Sequence, residues 1–550
     1  MSSYDDISED ATGESVKAAQ HGKVDEVTAY FRLKLSIENI NIKKPLAVVF
    51  EGESSVEVGR SPFLQDPVQL AFYFQKIQPI RIVLYDFHGK EGEEGELNRV
   101  GSVSTTLGRL VSLGMSVMPI DQSENLGGNG VLRVTVSFVS SPWKSKRVDF
   151  KFWASGLDRK DYAGVGRSDP YFLIFAEDTD ELLYQSEYIT STLRPEWRTG
   201  RFDFHVYDPD NTFEQAAYRL KVVVMDEDFG KGKNDLIGSL NVALSEIVAG
   251  AEFPLQRQSK KGGVAGKLLV RSFSISDIPS IGHYLVMGCD LWLNIAFDFT
   301  RSNMDPSESR SLHHLDSDNV YMKVIDEVIP LLLQYDPDGE VDCFGFSGKL
   351  SPQAPTQYAF NLKGSGETCV GSEGVKDAYA ETVKSITLSG PTKVVPVMQK
   401  VVSMLQGSRL SKSRQRYLVL VIVADGVPVE LDQFKEAIVE MSRQPLSIFF
   451  VGVGTAKFDR LKEMDKERPL RTSFNMQGSR VAHTTFRFLH LSSCKASLEE
   501  ELPESTLQKR RKDSFATAKE IGEEIMLSLE KHILDFVKSA GRVPMPAAEH

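Results

Sequence analysis

The pattern of apolar residues changes near residue 280, and this change most limits the folds open to the chain. From about residue 28 to 275, apolar residues form short alternating runs such as "IRIVLYDF" and "LKVVVMD", separated by turns rich in Gly, Pro and Asp. Alternation with a period of two is typical of strands that bury one face, so this part predicts antiparallel β-sandwiches. About 250 residues is too long for one small sandwich and suits two.

Beyond residue 280 the apolar runs are nearly continuous, as in "LWLNIAFDFT", "YLVLVIVADG" and "LSIFFVGVGT". Such runs are typical of strands buried on both faces of a parallel sheet. Helical stretches such as "NVYMKVIDEVIPLLLQY" and "ELDQFKEAIVEMSRQ" lie between them, and alternating strand and helix predicts a doubly wound α/β domain. A last amphipathic helix is predicted in "FATAKEIGEEIMLSLEKHILDFVKSA", after a polar loop that contains "KRRK".

A weak internal repeat divides the β-rich part. The segments "IRIVLYDFHG" and "LNRVGSV" of the first copy correspond to "LKVVVMDEDFG" and "NDLIGSL" of the second. The predicted fold is therefore two all-β sandwiches followed by a doubly wound α/β domain. We expect a disordered N-terminus over 1–27, sandwiches over 28–140 and 141–277, the α/β domain over 278–540, and a tail over 541–550.

The net charge of −12 argues against a protein that holds nucleic acid, or an anionic membrane, by bulk positive charge. The start of the chain is polar and acidic, unlike a signal peptide, and no apolar run approaches the ~20 residues of a membrane span. Four scattered cysteines without a CxxC pair fit a reducing compartment. We expect a soluble, cytoplasmic protein.

Two turns of the second sandwich, at residues 157–170 and 225–238, are rich in aspartate. A single aspartate in a turn needs no functional explanation. Five carboxylates at one end of a sandwich would repel one another strongly unless a hard divalent cation neutralised them, and Ca²⁺ takes roughly 6–8 oxygen ligands in flexible geometry. The predicted calcium ligands are Asp161, Asp169, Asp226, Asp228 and Asp235.

The segments "SDPYFLIF", "STLRPEW" and "MDEDFGKGKND" resemble those of a C2 domain. The resemblance implies that bound calcium lets the acidic apex dock on anionic phospholipid. Lys231 and Lys233 lie in the same loop, where each basic residue near an anionic leaflet is worth about 1 kcal/mol, and Phe229 is expected to insert at the interface.

The first sandwich departs from this pattern. It has "KKP" where the second has "SDP", so Lys44 replaces an acidic ligand. Asp86 is retained, but His88 and Asn98 occupy the next ligand positions. We predict a C2-like sandwich that has lost calcium binding and is structural, or binds protein or lipid without calcium.

A third constellation lies in the α/β domain, at strand ends where ligands of doubly wound sheets collect. The constellation consists of a D-x-T-x-S string at 298–302, a distant threonine and a D-G pair at 425–426. Capping of the following turn explains each carboxylate alone, but it does not explain the three features together. These all-oxygen side chains suit Mg²⁺ or Mn²⁺. The predicted ligands are Asp298, Thr300, Ser302, Thr392 and Asp425.

This set resembles the metal-ion-dependent adhesion site of a von Willebrand A domain, in which an open metal position accepts an acidic side chain from a partner. Two C2 sandwiches followed by an A domain resemble the copine family, and "DFTRSNMDP", "YDPDGEVDCFGFSGKL" and "GPTKVVPVMQ" resemble copine segments in order. Copines usually have glycine where Met304 stands.

The resemblance implies a calcium-dependent phospholipid-binding adaptor that recruits partner proteins and moves from the cytoplasm to plasma or internal membranes when calcium rises. Two alternatives remain open: a constitutive scaffold with vestigial metal sites, and a lipid-metabolising enzyme that uses C2 modules for targeting. We expect no enzyme, because the chain has no GxSxG, HExxH or P-loop motif. The adjacent His313 and His314 point differently, and surface or core roles are expected for them.

Overall fold

The computed structural model describes thirteen stretches of the 550-residue chain. These stretches are 27–40, 42–52, 54–88, 96–122, 130–159, 168–208, 212–227, 234–258, 262–364, 366–407, 415–466, 481–491 and 517–540. The predicted disordered start up to residue 26, the "KRRK" loop and the predicted tail therefore lie outside the described residues. Within the described stretches, no helix is both long enough and apolar enough to cross a membrane.

The first sandwich is built of two antiparallel sheets. Its strands are β1 (Ala29–Glu38), β2 (Pro45–Glu51), β3 (Val56–Pro62), β4 (Val68–Phe72), β5 (Pro79–His88), β6 (Glu96–Thr106), β7 (Met115–Pro119), β8 (Asp121–Gln122) and β9 (Val131–Ser140), and helix α1 (Leu107–Leu113) follows β6. One sheet has the order β4-β1-β9-β7 and the other β3-β2-β5-β6-β8. In β1 the residues Phe31, Leu33 and Leu35 are buried on alternate positions, as the period-two pattern predicts.

The second sandwich is a single antiparallel sheet that closes over its own core. The strands are β10 (Trp143–Ser155), β11 (Pro170–Ala176), β12 (Leu182–Gln185), β13 (Gly200–Tyr207), β14 (Arg219–Asp226), β15 (Asp235–Ala243), β16 (Glu252–Gln256) and β17 (Val264–Ile278), in the order β12-β11-β14-β15-β16-β17-β10-β13. Its core is rich in aromatic residues, among them Phe150, Phe172 and the almost fully buried Trp197. These residues form one compact unit, Ser141–Ser280.

The α/β domain contains the parallel sheet predicted from the continuous apolar runs. Its strands are β18 (Cys289–Asp298), β19 (Glu340–Phe346), β20 (Gly348–Lys349), β21 (Phe360–Asn361), β22 (Cys369–Val370), β23 (Thr387–Leu388), β24 (Gln415–Ala424), β25 (Leu446–Gly452) and β26 (Phe486–His490). Its helices are α2 (Ile281–Val286), α3 (Val320–Leu333), α4 (Gly371–Ser385), α5 (Val395–Gly407), α6 (Leu431–Met441), α7 (Asp459–Asp465) and α8 (Ala518–Ser539). Strands β19, β18, β24, β25 and β26 pair in parallel in that order.

Helices cover both faces of this sheet, and successive residues of each strand point to opposite faces. In β24, Val419 and Val421 belong to a core shared with α3, α4 and α8. Leu420 and Ile422, between and after them, belong to a second core shared with α5, α6 and α7. The doubly wound α/β fold predicted from the sequence is thereby confirmed.

The first sandwich and the α/β domain form one compact unit, residues 24–140 with 281–550. Their buried apolar residues belong to one continuous core. At the seam, the Tyr335 ring lies 4.7 Å from the Phe74 ring, and the Tyr335 hydroxyl donates to the Phe74 carbonyl at 2.8 Å. Gly282 of α2 approaches so closely that an added Cβ would lie 3.1 Å from the Phe31 ring. The sequence analysis did not predict that the first sandwich and the α/β domain share one core.

Side-chain amides complete the seam. Gln75 Nε2 donates to Glu530 Oε2 of α8 at 2.9 Å, and Gln334 Nε2 donates to the Lys76 carbonyl at 3.1 Å. Ser112 Oγ, at the end of α1, donates to the Gln334 carbonyl at 3.1 Å. Polar groups enclosed at an apolar seam cost free energy unless they are hydrogen-bonded, so these contacts fix one relative placement of the two parts.

Glu530 is expected to make the stability of this unit depend on pH. Burial raises the pKa of its carboxyl from 4.5 to about 7. The contribution of this group is therefore fully present below the unfolded pKa and is lost as pH rises from about 4.5 through about 7. Glu530→Gln removes the charge and keeps a hydrogen-bonding partner for Gln75. Because the carboxyl retains some contact with water, we expect the variant to be more stable than wild type by on the order of 1 kcal/mol at pH 8.

Urea unfolding of the full chain at pH 4.5 and pH 8 measures this effect. The two proteins should unfold at nearly the same urea concentration at the lower pH. Glu523→Gln, on the same helix, is the matched control and should shift neither midpoint. A Glu530→Gln variant that is less stable than wild type at pH 8 contradicts the prediction.

Candidate metal sites

The D-x-T-x-S string follows β18 at the edge of the sheet where the parallel strands end. Asp298 is the last residue of β18, and Asp425 directly follows β24, the neighbouring strand. Thr300 Oγ1 lies 2.9 Å from Ser302 Oγ and donates to Asp425 Oδ1 at 3.2 Å. Ser302 Oγ donates to the same carboxylate oxygen at 2.9 Å. Four of the five side chains predicted to hold magnesium therefore meet at one point.

Thr392, the fifth, lies on the loop before α5 and borders the Asp425 loop. A Cβ added to Gly426 would lie 3.8 Å from Thr392 Oγ1, and the Val429 amide donates to the Thr392 carbonyl at 3.1 Å. The same loop is joined to the D-x-T-x-S string, because the Arg301 amide donates to the Ser389 carbonyl at 2.8 Å. Thr392 is thus held beside the cluster, and its role as a metal ligand stays a prediction.

The two carboxyls of this cluster are buried and close to each other. Burial, and then the charge of Asp425, raises the pKa of Asp298 well above its usual value. Burial likewise raises the pKa of Asp425, against the hydrogen bond from Ser302, which lowers it. Two adjoining carboxyls whose ionisation is disfavoured by burial are typical of a place where a cation supplies the missing charge.

Asp298 is fully buried, and its Oδ2 atom accepts no hydrogen bond among the described residues. Its Oδ1 atom accepts the Thr300 amide at 2.9 Å. An orphaned carboxylate oxygen facing hydroxyl and carboxylate oxygens fits a hard cation such as Mg²⁺ or Mn²⁺. Within the described part of the chain, no three His, Cys, Asp or Glu side chains come together as a metal site, so hydroxyls would supply part of this set.

His313 supports the cluster from behind, a role that the sequence did not reveal. It is fully buried, and its Nε2 and Nδ1 lie 2.8 Å from the Asp298 carbonyl and the Tyr379 hydroxyl, respectively. Burial lowers the pKa of this imidazole to about 3, so the ring is neutral. Nε2 therefore donates to the carbonyl, and Nδ1 accepts from the hydroxyl. Of the two roles expected for His313, core rather than surface is observed; only the three-dimensional structure could show which strand end it contacts.

Asn303 ties the turn together. Its Nδ2 atom donates to Thr300 Oγ1 at 3.3 Å, and its Oδ1 atom accepts from the Tyr321 hydroxyl of α3 at 2.7 Å. The hydroxyl of Thr300 is thereby oriented by a side chain that is itself fixed by the helix layer. Such outer contacts fix the orientation of the oxygen atoms in the cluster.

Met304, the residue that differs from the usual copine glycine, has φ 66° and ψ 160°. This region is essentially restricted to glycine, and a residue with a Cβ held there costs of order 1–3 kcal/mol. The strain lies two residues after Ser302, within the loop that carries the cluster. Backbone geometry, rather than contact with a metal, explains why glycine suits this position.

We expect Met304→Gly to stabilise the α/β domain by roughly 1 kcal/mol, because it relieves this strain by more than glycine's added freedom in the unfolded chain costs. The midpoint of thermal unfolding, measured with and without Mg²⁺, tests this. Met322→Gly, in helix α3, is the opposite control and should destabilise the protein. A stability loss from Met304→Gly comparable to that of the control would contradict the strain argument.

At the apex of the second sandwich, the structure describes Asp169, Asp226 and Asp235. Asp226 ends β14 and pairs across the sheet with Asp235, the first residue of β15. Its Oδ1 atom accepts the Asp169 amide at 2.5 Å, and Asp169 Oδ1 accepts the Ser191 amide at 2.5 Å. These three predicted calcium ligands are brought to one end of the sandwich. The remaining predicted residues lie outside the described residues; they are Asp161, Asp228, Phe229, Lys231 and Lys233.

The first sandwich repeats the same backbone arrangement with different side chains. Asp86 lies near the end of the equivalent strand and pairs with Asn98, as Asp226 pairs with Asp235. Its Oδ1 atom accepts the Lys44 amide at 3.0 Å, which matches the amide contact made by Asp169.

Basic side chains lie beside Asp86 at the first apex. His88 Nε2 lies 3.7 Å from Asp86 Oδ2, and Lys44 Nζ lies 6.0 Å from the centroid of the neighbouring Phe87 ring. The register aligns Lys44 with Asp169 and Asn98 with Asp235, the correspondence inferred from the sequence. At the described positions that correspond to calcium ligands of the second apex, only Asp86 is a carboxylate. One carboxylate beside basic and neutral side chains is a poor set for Ca²⁺, which prefers several anionic oxygens.

Comparison with known protein families matches two segments of the chain. A C2 domain matches residues 152–259, which lie in the second sandwich. A copine domain matches residues 311–520, which lie in the α/β domain. The two matches follow each other in the order that the resemblance predicts.

Solved structures with some likeness include "BON1-C2B", at 20% identity over 24% of this chain and 92% of that chain, with a TM-score of 0.20. The calcium-bound pair of C2 domains of Extended-Synaptotagmin 2 is 13% identical over 45% of this chain and 98% of that chain, with a TM-score of 0.17. Manganese-loaded TRAP protein of Plasmodium vivax is 16% identical over 37% of this chain and 69% of that chain, with a TM-score of 0.25. TM-scores this low do not justify transferring any property of those proteins to this chain.

Proposed function

Since the chain belongs to the copine family, with a C2 domain ahead of its copine domain, we propose that it is a calcium-dependent phospholipid-binding adaptor. In this proposal the second sandwich docks on anionic membranes when calcium rises, and the α/β domain presents a magnesium-dependent surface to partner proteins. The protein would reside in the cytoplasm and move to plasma or internal membranes with the calcium signal.

The contrast between the two apices is the observation that carries this proposal. The same amide-to-carboxylate contact is surrounded by Asp169 and Asp235 in the second sandwich, and by Lys44 and Asn98 in the first. Such a difference in charge on one shared backbone frame is expected if the second apex is kept acidic for a cation. Calcium bound there would cancel the repulsion between the apex and anionic headgroups.

Five aspartates would hold that calcium, and three further side chains would contact the membrane. The proposed calcium ligands are Asp161, Asp169, Asp226, Asp228 and Asp235, and the proposed membrane contacts are Phe229, Lys231 and Lys233. With calcium in place, the two lysines add attraction to an anionic leaflet of about 1 kcal/mol each.

In the α/β domain, the oxygen cluster would hold Mg²⁺ or Mn²⁺ through Asp298, Thr300, Ser302, Thr392 and Asp425. The metal would supply a positive centre able to accept a carboxylate from a partner. The protein itself supplies the orientation, through the hydrogen bonds from Thr300 and Ser302 to Asp425 and the neutral His313 behind Asp298.

For the enzyme alternative, two serine–histidine contacts among the described residues are relevant. Ser145 Oγ lies 2.8 Å from His205 Nδ1 as an exposed cross-strand pair of the second sandwich, and the other contact is buried. Ser447 Oγ lies 3.0 Å from His532 Nδ1 and 3.0 Å from the Tyr417 hydroxyl. All three side chains are 0–2% exposed. Burial lowers the pKa of His532 well below its usual value. A nucleophile sealed inside a core does not meet substrate, and this contact is better explained as hydrogen bonding that satisfies buried polar groups.

The calcium assignment predicts the sign of a charge change at the apex. Asp226→Asn with Asp228→Asn removes two negative charges. An acidic patch without calcium would then bind anionic vesicles better, whereas a calcium site would lose calcium-dependent binding, because amide oxygens are weaker ligands for a hard cation. We expect the calcium concentration for half-maximal sedimentation with phosphatidylserine vesicles to rise at least tenfold.

Asp86→Asn in the first sandwich is the matched control. It removes the corresponding carboxylate from the equivalent position, and it should leave the calcium titration within about twofold of wild type. If the double variant sediments like wild type, or the control abolishes binding, calcium does not act at the second apex. Sedimentation of wild type that is independent of calcium would instead favour the constitutive scaffold.

The magnesium assignment predicts that Mg²⁺ binding can be removed without affecting calcium-dependent membrane binding. Asp298→Asn with Asp425→Asn keeps the shape of the buried cluster but removes both anionic ligands, so Mg²⁺ binding measured by calorimetry should disappear. Calcium-dependent sedimentation should be unchanged, because it involves a different unit. Asp318→Asn, at an exposed position of the same domain, serves as control. Identical partner sets recovered by double variant and wild type in Mg²⁺ would refute a role of this site in partner capture.

A further inference from the structure

At the opposite edge of the parallel sheet, where the strands begin, lies a cavity of about 240 Å³. Its acidic side chains come from two elements: Asp290 near the start of β18, and Asp336 and Asp338 from the turn between α3 and β19. Leu113 from the end of α1 contributes to the wall, so the first sandwich and the α/β domain both line it. None of these residues belongs to the metal sites described above.

Asp336 is the unusual member of this group. The residue is only 2% exposed, yet its Oδ2 atom accepts no hydrogen bond among the described residues. Burial first, and then the adjoining Asp338 carboxyl, raises the pKa of Asp336 to about 8. A buried carboxylate oxygen without a donor costs free energy, and its position on a cavity wall beside a second carboxyl gives a cationic ligand something to pair with.

The remaining walls indicate which kind of cation fits. Leu113, Leu291 and Pro337 are apolar, and the Trp292 ring already has the Arg416 guanidinium 5.4 Å from its centroid. A water molecule occupies about 30 Å³ of liquid volume, so the cavity exceeds the space of a bare ion several times over. Apolar and aromatic walls around an acidic floor are suited to a group with both a carbon stem and a delocalised charge.

Charge and ligand geometry agree with this choice. Among the described residues, the carboxyls of Asp290, Asp336 and Asp338 lie near two guanidiniums. Arg416 Nη2 lies 3.8 Å from Asp338 Oδ2, and Arg109 donates to the Pro337 carbonyl at 3.5 Å. Ionisation of Asp336 therefore adds a negative charge to the cavity wall, which an incoming cation would balance. Among the described residues, no three acidic, His or Cys side chains are arranged as a metal site, so an organic cation fits this set better than a metal ion.

We propose that this cavity is a binding site for a guanidinium or primary ammonium group, with Asp336 and Asp338 as the anionic partners and Trp292 as the wall against which the cation lies. The group belongs to a basic side chain of a partner or to a free organic cation of the same chemistry. The proposal is independent of calcium and magnesium, because it uses neither predicted metal site.

Calorimetry on the full-length protein with arginine amide as the probe tests this assignment. The α-amino group of the probe is acetylated, so that the guanidinium is its only charge. Wild type should bind this probe, and the acetylated citrulline amide, its neutral analogue, should bind at least tenfold more weakly. Asp336→Asn and Asp338→Asn should each weaken binding at least tenfold. Glu340→Gln, which removes a carboxylate from the same edge outside the cavity, should stay within twofold. Far-ultraviolet circular dichroism confirms that each variant is folded.

Proton release gives a second readout. A bound cation should displace the proton held by Asp336, so binding should tighten as pH rises toward 8 and should release a proton near pH 7. The charged groups facing it are Asp290 on β18, Asp338 on the same turn, Arg416 on β24 and Arg109 on α1, which donates to the Pro337 carbonyl at 3.5 Å. Asp336→Asn should abolish this release, an effect that a purely structural role would not produce.

A capped Gly-Arg-Gly peptide distinguishes the two sources of the cation. Binding as tight as that of arginine amide assigns the site to a side chain on a protein, and weaker binding assigns it to a free small cation. The proposal is overturned if neither probe binds better than its neutral analogue, or if Asp336→Asn and Asp338→Asn bind arginine amide as wild type does.

Discussion

The parallel pairing of β18 with β24 is the contact on which both edges of the α/β domain depend. Nine consecutive residue pairs, from Cys289 with Gln415 to Phe297 with Val423, hold the two strands in register. At the end of this ladder Asp298 and Asp425 emerge together, and near its start Asp290 lies opposite Arg416. A shift of one residue would move the apolar side chains to the wrong faces, so the packing of both cores keeps both polar clusters in place.

The carboxyl edge is maintained at a cost to stability. Asp298 is buried with one oxygen lacking a donor among the described residues, and Met304 is held in a backbone region that favours glycine. Buried carboxyls and strained backbone are destabilising, and proteins retain them chiefly where a site requires them. The apolar cores on the two sides of the five parallel strands provide the stability that offsets this cost.

The two sandwiches separate architecture from chemistry. Their apices share the strand ending, the cross-strand pair and the amide-to-carboxylate hydrogen bond, whereas the charges around that bond differ. A fold alone therefore does not define a calcium site, because the backbone frame is the same with Lys44 as with Asp169. The side chains at three or four loop positions decide what the frame can bind.

The strand-and-helix organisation and the oxygen cluster could be predicted because both depend on local pattern. Continuous apolar runs identify strands buried on two faces, and polar residues directly after those runs must emerge at the same edge of a parallel sheet. His313, Gln75 and Glu530 could not be assigned in this way. Their partners lie far away in the chain, and a buried imidazole, amide or carboxyl resembles a surface residue until the packing around it is known.

The seam between Phe74 and Tyr335 has a consequence for how the protein is made. The first sandwich packs against the α/β domain, and the whole second sandwich, residues 141–280, lies between these two in the chain. At a synthesis rate of about 5–20 residues per second, its face stays uncovered for roughly ten seconds or longer after residue 140 has been added. During that interval the apolar surface around Phe31 and Phe74 is open to wrong partners. The second sandwich, a compact unit of its own, emerges in the same interval, so helix α8 completes a body that strands synthesised hundreds of residues earlier began.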